Sequence, residues 1–185
     1  SLGSATKGGV TAPIDADGDG LPELVVATRD NTSHRMFAFV GSQLIEQTRD
    51  AAVPELSPAG FFVSAVTADF NRDGLLDFAG ASPTDSTYRL WLQGNGGLDE
   101  VAGGIAQLSG LSQSTATDIN NDTYPDLVLV ARGARAGRIL INDGLGNFGD
   151  ESSRLGTASP HAIAVGDLDG DGNVDMLIDD GARVT

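Results

Sequence analysis

Asp167-Leu168-Asp169-Gly170-Asp171-Gly172-Asn173-Val174-Asp175 places four carboxylates in nine residues, with glycines between them. Close like charges resist joint ionisation, so such a loop needs a counter-charge. A hard cation supplies it. Calcium takes about six to eight oxygen ligands in flexible geometry, and acids at positions 1, 3 and 5 of a loop can wrap one ion. Three more stretches carry the pattern: Asp15 to Glu23, Asp69 to Asp77 and Asp118 to Asp126. Each runs nine residues, numbered below as loop positions 1 to 9.

The bulk properties agree with that reading. The formal net charge is −15, and the four loops hold 14 of the 26 acidic residues. Four divalent cations would bring −15 to −7, so the acidity is mainly a metal-site signature. The charge speaks against nucleic acid and anionic membrane surfaces as partners. No cysteine is present, which removes disulfides and thiolate chemistry. Apolar runs are short, such as Leu127 to Ala131, so membrane insertion is not expected. Weak multi-carboxylate calcium sites fill best where calcium is abundant, so the expected location is extracellular or at the cell surface. No signal peptide is visible, and the first residue is Ser1, as in a mature or trimmed chain.

First aspartates fall at 15, 69, 118 and 167, giving spacings of 54, 49 and 49. A run rich in small residues precedes each loop: Val10 to Ile14, Phe62 to Ala68, Ser112 to Thr117 and His161 to Gly166. An apolar second strand follows: Leu24 to Ala27, Phe78 to Ala81, Leu127 to Val130 and Met176 to Ile178. Third strands are expected at Met36 to Val40, Tyr88 to Leu92 and Arg138 to Ile141. Asn/Gly-rich turns then lead to weaker fourth strands near Leu44 to Thr48, Leu98 to Ala102 and Phe148 to Ser152. No segment shows sustained helical periodicity.

Repeats of about 40–50 residues with four strands each point to β-propeller blades. The fold class is therefore all-β, a propeller arc of about three and a half four-stranded blades. The expected limits are blade one about 8–54, blade two about 60–106, blade three about 109–156 and a partial blade four about 159–185, all in one domain. An EF-hand would need an acid at position 12 and flanking helices. Position 12 is Val26, Gly80, Leu129 and Ile178, which sets that reading aside.

The four loops, with the Gly94-Asn95-Gly96 and Gly144-Leu145-Gly146-Asn147-Phe148 hairpins, resemble the FG-GAP/VCBS repeat family, which includes the integrin α-subunit propeller. The resemblance covers nearly all the chain. It implies that side chains at positions 1, 3, 5 and 9 and the carbonyl at 7 hold calcium, up to four ions in all. Site one would be Asp15, Asp17, Asp19, Leu21 and Glu23; site two Asp69, Asn71, Asp73, Leu75 and Asp77. Site three would be Asp118, Asn120, Asp122, Tyr124 and Asp126; site four Asp167, Asp169, Asp171, Asn173 and Asp175. Two departures stand out. Glu23 replaces aspartate at position 9. Thr123 replaces glycine at position 6, where a positive φ would strain a β-branched residue, so site three is expected to be weakest.

The chain is read as a non-enzyme. Only His34 and His161 could serve as imidazole bases, and no GxSxG, P-loop or HExxH is present. Trp91 and Tyr88 could stack a sugar ring, but at strand spacing at least one belongs in the core. In an up-and-down blade the metal loops share one face. The second-to-third connections share the other, with Arg29, His34 and Arg35 in blade one and Arg132, Arg135 and Arg138 in blade three. That basic face would suit acidic glycans or extracellular protein partners. The integrin resemblance implies ligand binding away from the metal loops. Asn31-Thr32-Ser33 is an N-glycosylation sequon there. Three functions follow: an extracellular recognition or adhesion module, a structural subunit of a fibre or surface array, or part of a propeller-based polysaccharide-acting enzyme. An arc also needs other blades or subunits to cover its ends.

Overall fold

The structure is a computed structural model. It describes residues 10–15, 21–27, 34–40, 43–47, 64–81, 86–94, 97–102, 104–131, 137–156, 160–181 and 184. The described residues form an all-β molecule of antiparallel sheets, none of which closes on itself.

Each repeat forms its own sheet, with strands in chain order. Repeat one contains β1 (Val10–Ile14), β2 (Glu23–Ala27), β3 (His34–Val40) and β4 (Gln43–Gln47). Repeat two contains β5 (Ser64–Ala68), β6 (Asp77–Ala81), β7 (Thr87–Gly94) and β8 (Gly97–Glu100), with β9 (Ala106–Gln107) also on β7. Repeat three contains β10 (Leu111–Thr117), β11 (Asp126–Ala131), β12 (Gly137–Asn142) and β13 (Phe148–Asp150), then a single 3-10 turn at Ser152–Leu155. Among the described residues, repeat four pairs β14 (Ala162–Gly166) with β15 (Asp175–Asp179).

The expected strands thus form within a few residues of their predicted limits. The fourth strand of repeat two differs. β8 leaves β7 after Glu100, and the chain returns as β9 opposite Thr87 and Tyr88. Between them Val101 N–H donates to Leu90 O and Ile105 N–H to Tyr88 O, each at 2.8 Å. Gly104, at φ 67°, makes the bend where an added Cβ would strike Thr87.

Strands β6 and β11 are apolar beyond their first aspartate because both of their faces are covered, whereas β15 is only partly buried. All of β11 is buried. Leu127, Leu129 and Ala131 face repeat two, against Ala79, Tyr88 and Leu90. Val128 and Val130 face repeat four, against Ile163 and Ile178. A strand buried on both faces loses the alternation of a half-exposed one. Sheets therefore stack face to face through the second strands. The first strands converge as well: β1 lies on β5, β5 on β10 and β10 on β14. Their small residues allow this approach, and Ser64 Oγ meets Ser114 Oγ at 2.7 Å. A groove of about 320 Å³ runs between Pro13, Val66 and Thr115. Trp91 and Tyr88 are both 1% exposed, so neither forms a sugar-stacking platform. Trp91 instead meets Phe78 edge to face, with ring centroids 5.7 Å apart.

Candidate metal centres

Each loop joins a first strand to a second, and loops two, three and four fold alike. The position 1 carboxylate accepts the N–H groups of positions 5 and 6. In loop two these are Asp73 N to Asp69 Oδ1 at 3.1 Å and Gly74 N to Asp69 Oδ2 at 2.9 Å. In loop three they are Asp122 N and Thr123 N to Asp118, at 3.1 and 2.7 Å. In loop four they are Asp171 N and Gly172 N to Asp167, at 3.1 and 3.0 Å. The position 5 carboxylate accepts the position 7 N–H in all three, from Leu75, Tyr124 and Asn173. These are the local side-chain-to-backbone bonds for which Asp and Asn are suited.

The fold requires positive φ at positions 4 and 6. Position 6 is Gly74 at 89°, Thr123 at 75° and Gly172 at 86°. Thr123 therefore adopts the strained conformation expected of it. Position 4 is Arg72 at 58°, Asn121 at 62° and Gly170 at 82°. That second demand was not read from the sequence, because two of the three residues are not glycine.

Position 9 has a role that spacing alone did not reveal. Asp77 and Asp126 are fully buried. Asp77 Oδ2 accepts Phe70 N–H at 2.7 Å, and Oδ1 accepts Gln93 N–H at 2.8 Å. Asp126 repeats this with Ile119 and Asn142, both at 2.8 Å. The ninth residue thus clamps the loop's second residue to the third strand. Burial raises the Asp77 carboxyl to about 6, helped by Asp73 and Asp69 and opposed by its two backbone donors. Burial raises Asp126 likewise. The partners Gln93 and Asn142 each lie 16 residues beyond the acid. Both donors are backbone N–H groups, which any residue but proline supplies, so residue type at that offset carried no signal for the clamp.

In loop four, ligand atoms of Asp167, Asp169 and Asp175 lie within 4.8 Å of one another. Loops two and three carry Asn71 and Asn120 at position 3, so each offers one carboxylate fewer. Each amide oxygen there accepts the position 5 N–H at 3.1 Å. The amide nitrogens donate to Asp73 and Asp122 at 3.0 and 2.7 Å. The side-chain oxygens of positions 1, 3, 5 and 9 in these three loops make an all-oxygen donor set, which fits a hard cation and offers no soft ligand. In loop one, Asp15 is half-buried, Leu21 exposed and Glu23 buried. Asp17 and Asp19 lie outside the described residues.

The expected basic face is mostly outside the described residues, which do not include Arg29, Asn31, Arg132 or Arg135. His34 and Arg35 fall on β3. Arg138, at the start of β12, is half-buried and pairs with Asp150 at 3.7 Å. No helix among the described residues is long and apolar enough to cross a membrane.

The sequence matches the FG-GAP-like repeat family three times, over residues 15–80, 69–129 and 118–178. Each match opens on a position 1 aspartate and runs through the following loop, so all four loops fall within them. A search of curated proteins returned no match. Repeated loops, face-stacked antiparallel sheets and these matches lead to one conclusion: the chain belongs to the FG-GAP-like repeat family.

Proposed function

We propose that the chain is a calcium-stabilised β-propeller module, an arc of about three and a half blades, serving extracellular recognition or adhesion. FG-GAP repeats are consistent with a propeller-like module. The observation that carries the calcium reading is the loop fold common to loops two, three and four. It carries acids at positions 1, 5 and 9 on one turn, and in loop four it brings the carboxylates of Asp167, Asp169 and Asp175, at positions 1, 3 and 9, within 4.8 Å of one another. Residues at positions 1, 3, 5 and 9 would hold the ion, with the carbonyl at 7 as the family likeness implies. The ion would offset repulsion among the loop acids, so its binding energy adds to folding. Calcium dependence supports an extracellular setting, where such sites stay filled.

The partner class follows from the second-to-third connections. Arg29, Arg132 and Arg135, together with Arg35 at the start of β3, could present guanidinium forks to carboxylate or sulfate groups of acidic glycans or proteins. The test of the calcium reading is thermal unfolding of the full chain with saturating calcium and with chelator. A substantially lower melting temperature in chelator is expected. Superimposable curves would dismiss the metal and, with it, the extracellular argument.

A further inference from the structure

Four non-glycine residues adopt positive φ among the described residues: Arg72, Ser86, Asn121 and Thr123. Three of the four lie in the metal loops and touch a residue of another loop. Such outliers persist where the surroundings hold them and often mark a functional constraint. Arg72, at position 4 of loop two, donates from Nη1 to Thr123 Oγ1 of loop three at 2.9 Å. Its guanidinium also lies 5.3 Å from the centroid of the Tyr124 ring, a cation–π distance. Asn121, at position 4 of loop three, donates from Nδ2 to Asn173 Oδ1 of loop four. Both side chains reach forward to the next loop, at its positions 6 and 7. Behind them Asn142 Nδ2 donates to Phe70 O at 2.7 Å and Pro125 O at 3.1 Å, joining loops two and three at their bases.

Among the described residues, position 4 is the only place from which this reach is made twice, and glycine, which the backbone would favour there, cannot make it. Thr123 also gains an explanation. Its hydroxyl is the acceptor that a glycine at position 6 would lack.

We propose that Arg72 and Asn121 are struts coupling neighbouring metal loops, so that filling loop two raises the affinity of loop three, and filling loop three that of loop four. This rests on the calcium reading above. Each strut is anchored in the turn that must order around one ion. Each ends on the segment supplying positions 6 and 7 of the next site. An ion that fixes the first turn therefore restricts the second, and less ordering cost remains when the second ion binds. Coupling of this kind is reciprocal.

The test is a calcium titration of the full chain, buffered by a competing chelator and read from the Thr123 and Gly172 amide resonances. These report loops three and four separately. Asp73→Asn disables loop two and Asp122→Asn disables loop three. With the struts intact, disabling a loop should weaken its successor about fivefold or more. In Arg72→Ala, the effect of Asp73→Asn on loop three should shrink to less than about twofold; in Asn121→Ala, so should that of Asp122→Asn on loop four. Arg72→Ala also removes a positive charge beside loop three, so the coupling and not the affinity is the readout. Arg72→Lys keeps that charge without the guanidinium plane and should behave as Arg72→Ala does. Equal weakening with and without the struts would overturn the proposal while leaving the calcium reading intact. No calcium response at either amide would overturn both.

Discussion

Replacing Asp77 with asparagine separates the two roles assigned to loop position 9. The change keeps size and removes charge. In chelator no ion is involved, and the cost comes from the clamp alone. Asp77 accepts two backbone N–H groups at full burial, from Phe70 at 2.7 Å and Gln93 at 2.8 Å. An amide oxygen can accept one; the amide nitrogen then faces the other donor. Losing a bond to a charged acceptor costs about 1.5–3 kcal/mol, and stranding a buried N–H about 1–3 kcal/mol. Relief of the buried charge offsets part of this, since burial already holds the carboxyl up at about 6. The net expectation is a loss of about 2–3 kcal/mol. That corresponds to a fall of about 4–12 °C in melting temperature for a chain of this size. The control is Asp73→Asn at exposed position 5, whose bonds go to Leu75 N–H and to the Asn71 side chain. It should cost about 0.5 kcal/mol or less in chelator. Denaturant unfolding at pH 7.5 in chelator measures both. If the two variants prove equally mild, position 9 is no clamp, and the link between loop and third strand is wrong.

Three further outcomes are expected. The Asp77 carboxyl binds its proton more tightly folded, at about 6, than at its ordinary 3.8. In chelator this group therefore adds stability as pH falls through about 6, whereas with calcium present protonation competes with the ion and the calcium-dependent stabilisation shrinks over the same range; melting curves from pH 7.5 to 5 compare the two. Gly144→Ala should destabilise by about 1–3 kcal/mol in denaturant unfolding. Its backbone sits at φ 78°, and the new Cβ would run into the Tyr124 ring. Thr123→Gly should be nearly neutral in the wild-type background, where relief of strain is balanced by the lost Arg72 contact, and stabilising by about 1 kcal/mol in Arg72→Ala, as paired unfolding curves would show.

Much of the fold was legible because its demands recur every repeat. The loops need acids at fixed places. The second strands need apolar residues on both faces, hence Leu127 to Ala131. Strand ends followed from the Asn/Gly turns. What stayed hidden was set by contacts far along the chain. Asn142 reads as a hairpin residue; only the register of β11 with β12 brings it to Asp126 and Phe70. Nothing in the sequence marks Arg72, whose partner lies 51 residues away. The break after β8 had a signal in Gly103-Gly104, but the return of the chain as β9 onto β7 was invisible, since its partners Thr87 and Tyr88 lie about 20 residues back. Thr123 was the exception, because a β-branched residue in a glycine position is visible in one repeat set against the others.

The central claim is that the loops are metal sites of one kind, and calcium stoichiometry tests it most directly. The full chain, stripped by chelator and then equilibrated with calcium in the millimolar range, should bind four ions per chain by equilibrium dialysis. Loop three should fill last, and a variant carrying Asp118→Asn with Asp122→Asn should bind three. Binding of one ion or none, or an unchanged stoichiometry in that variant, would contradict the account.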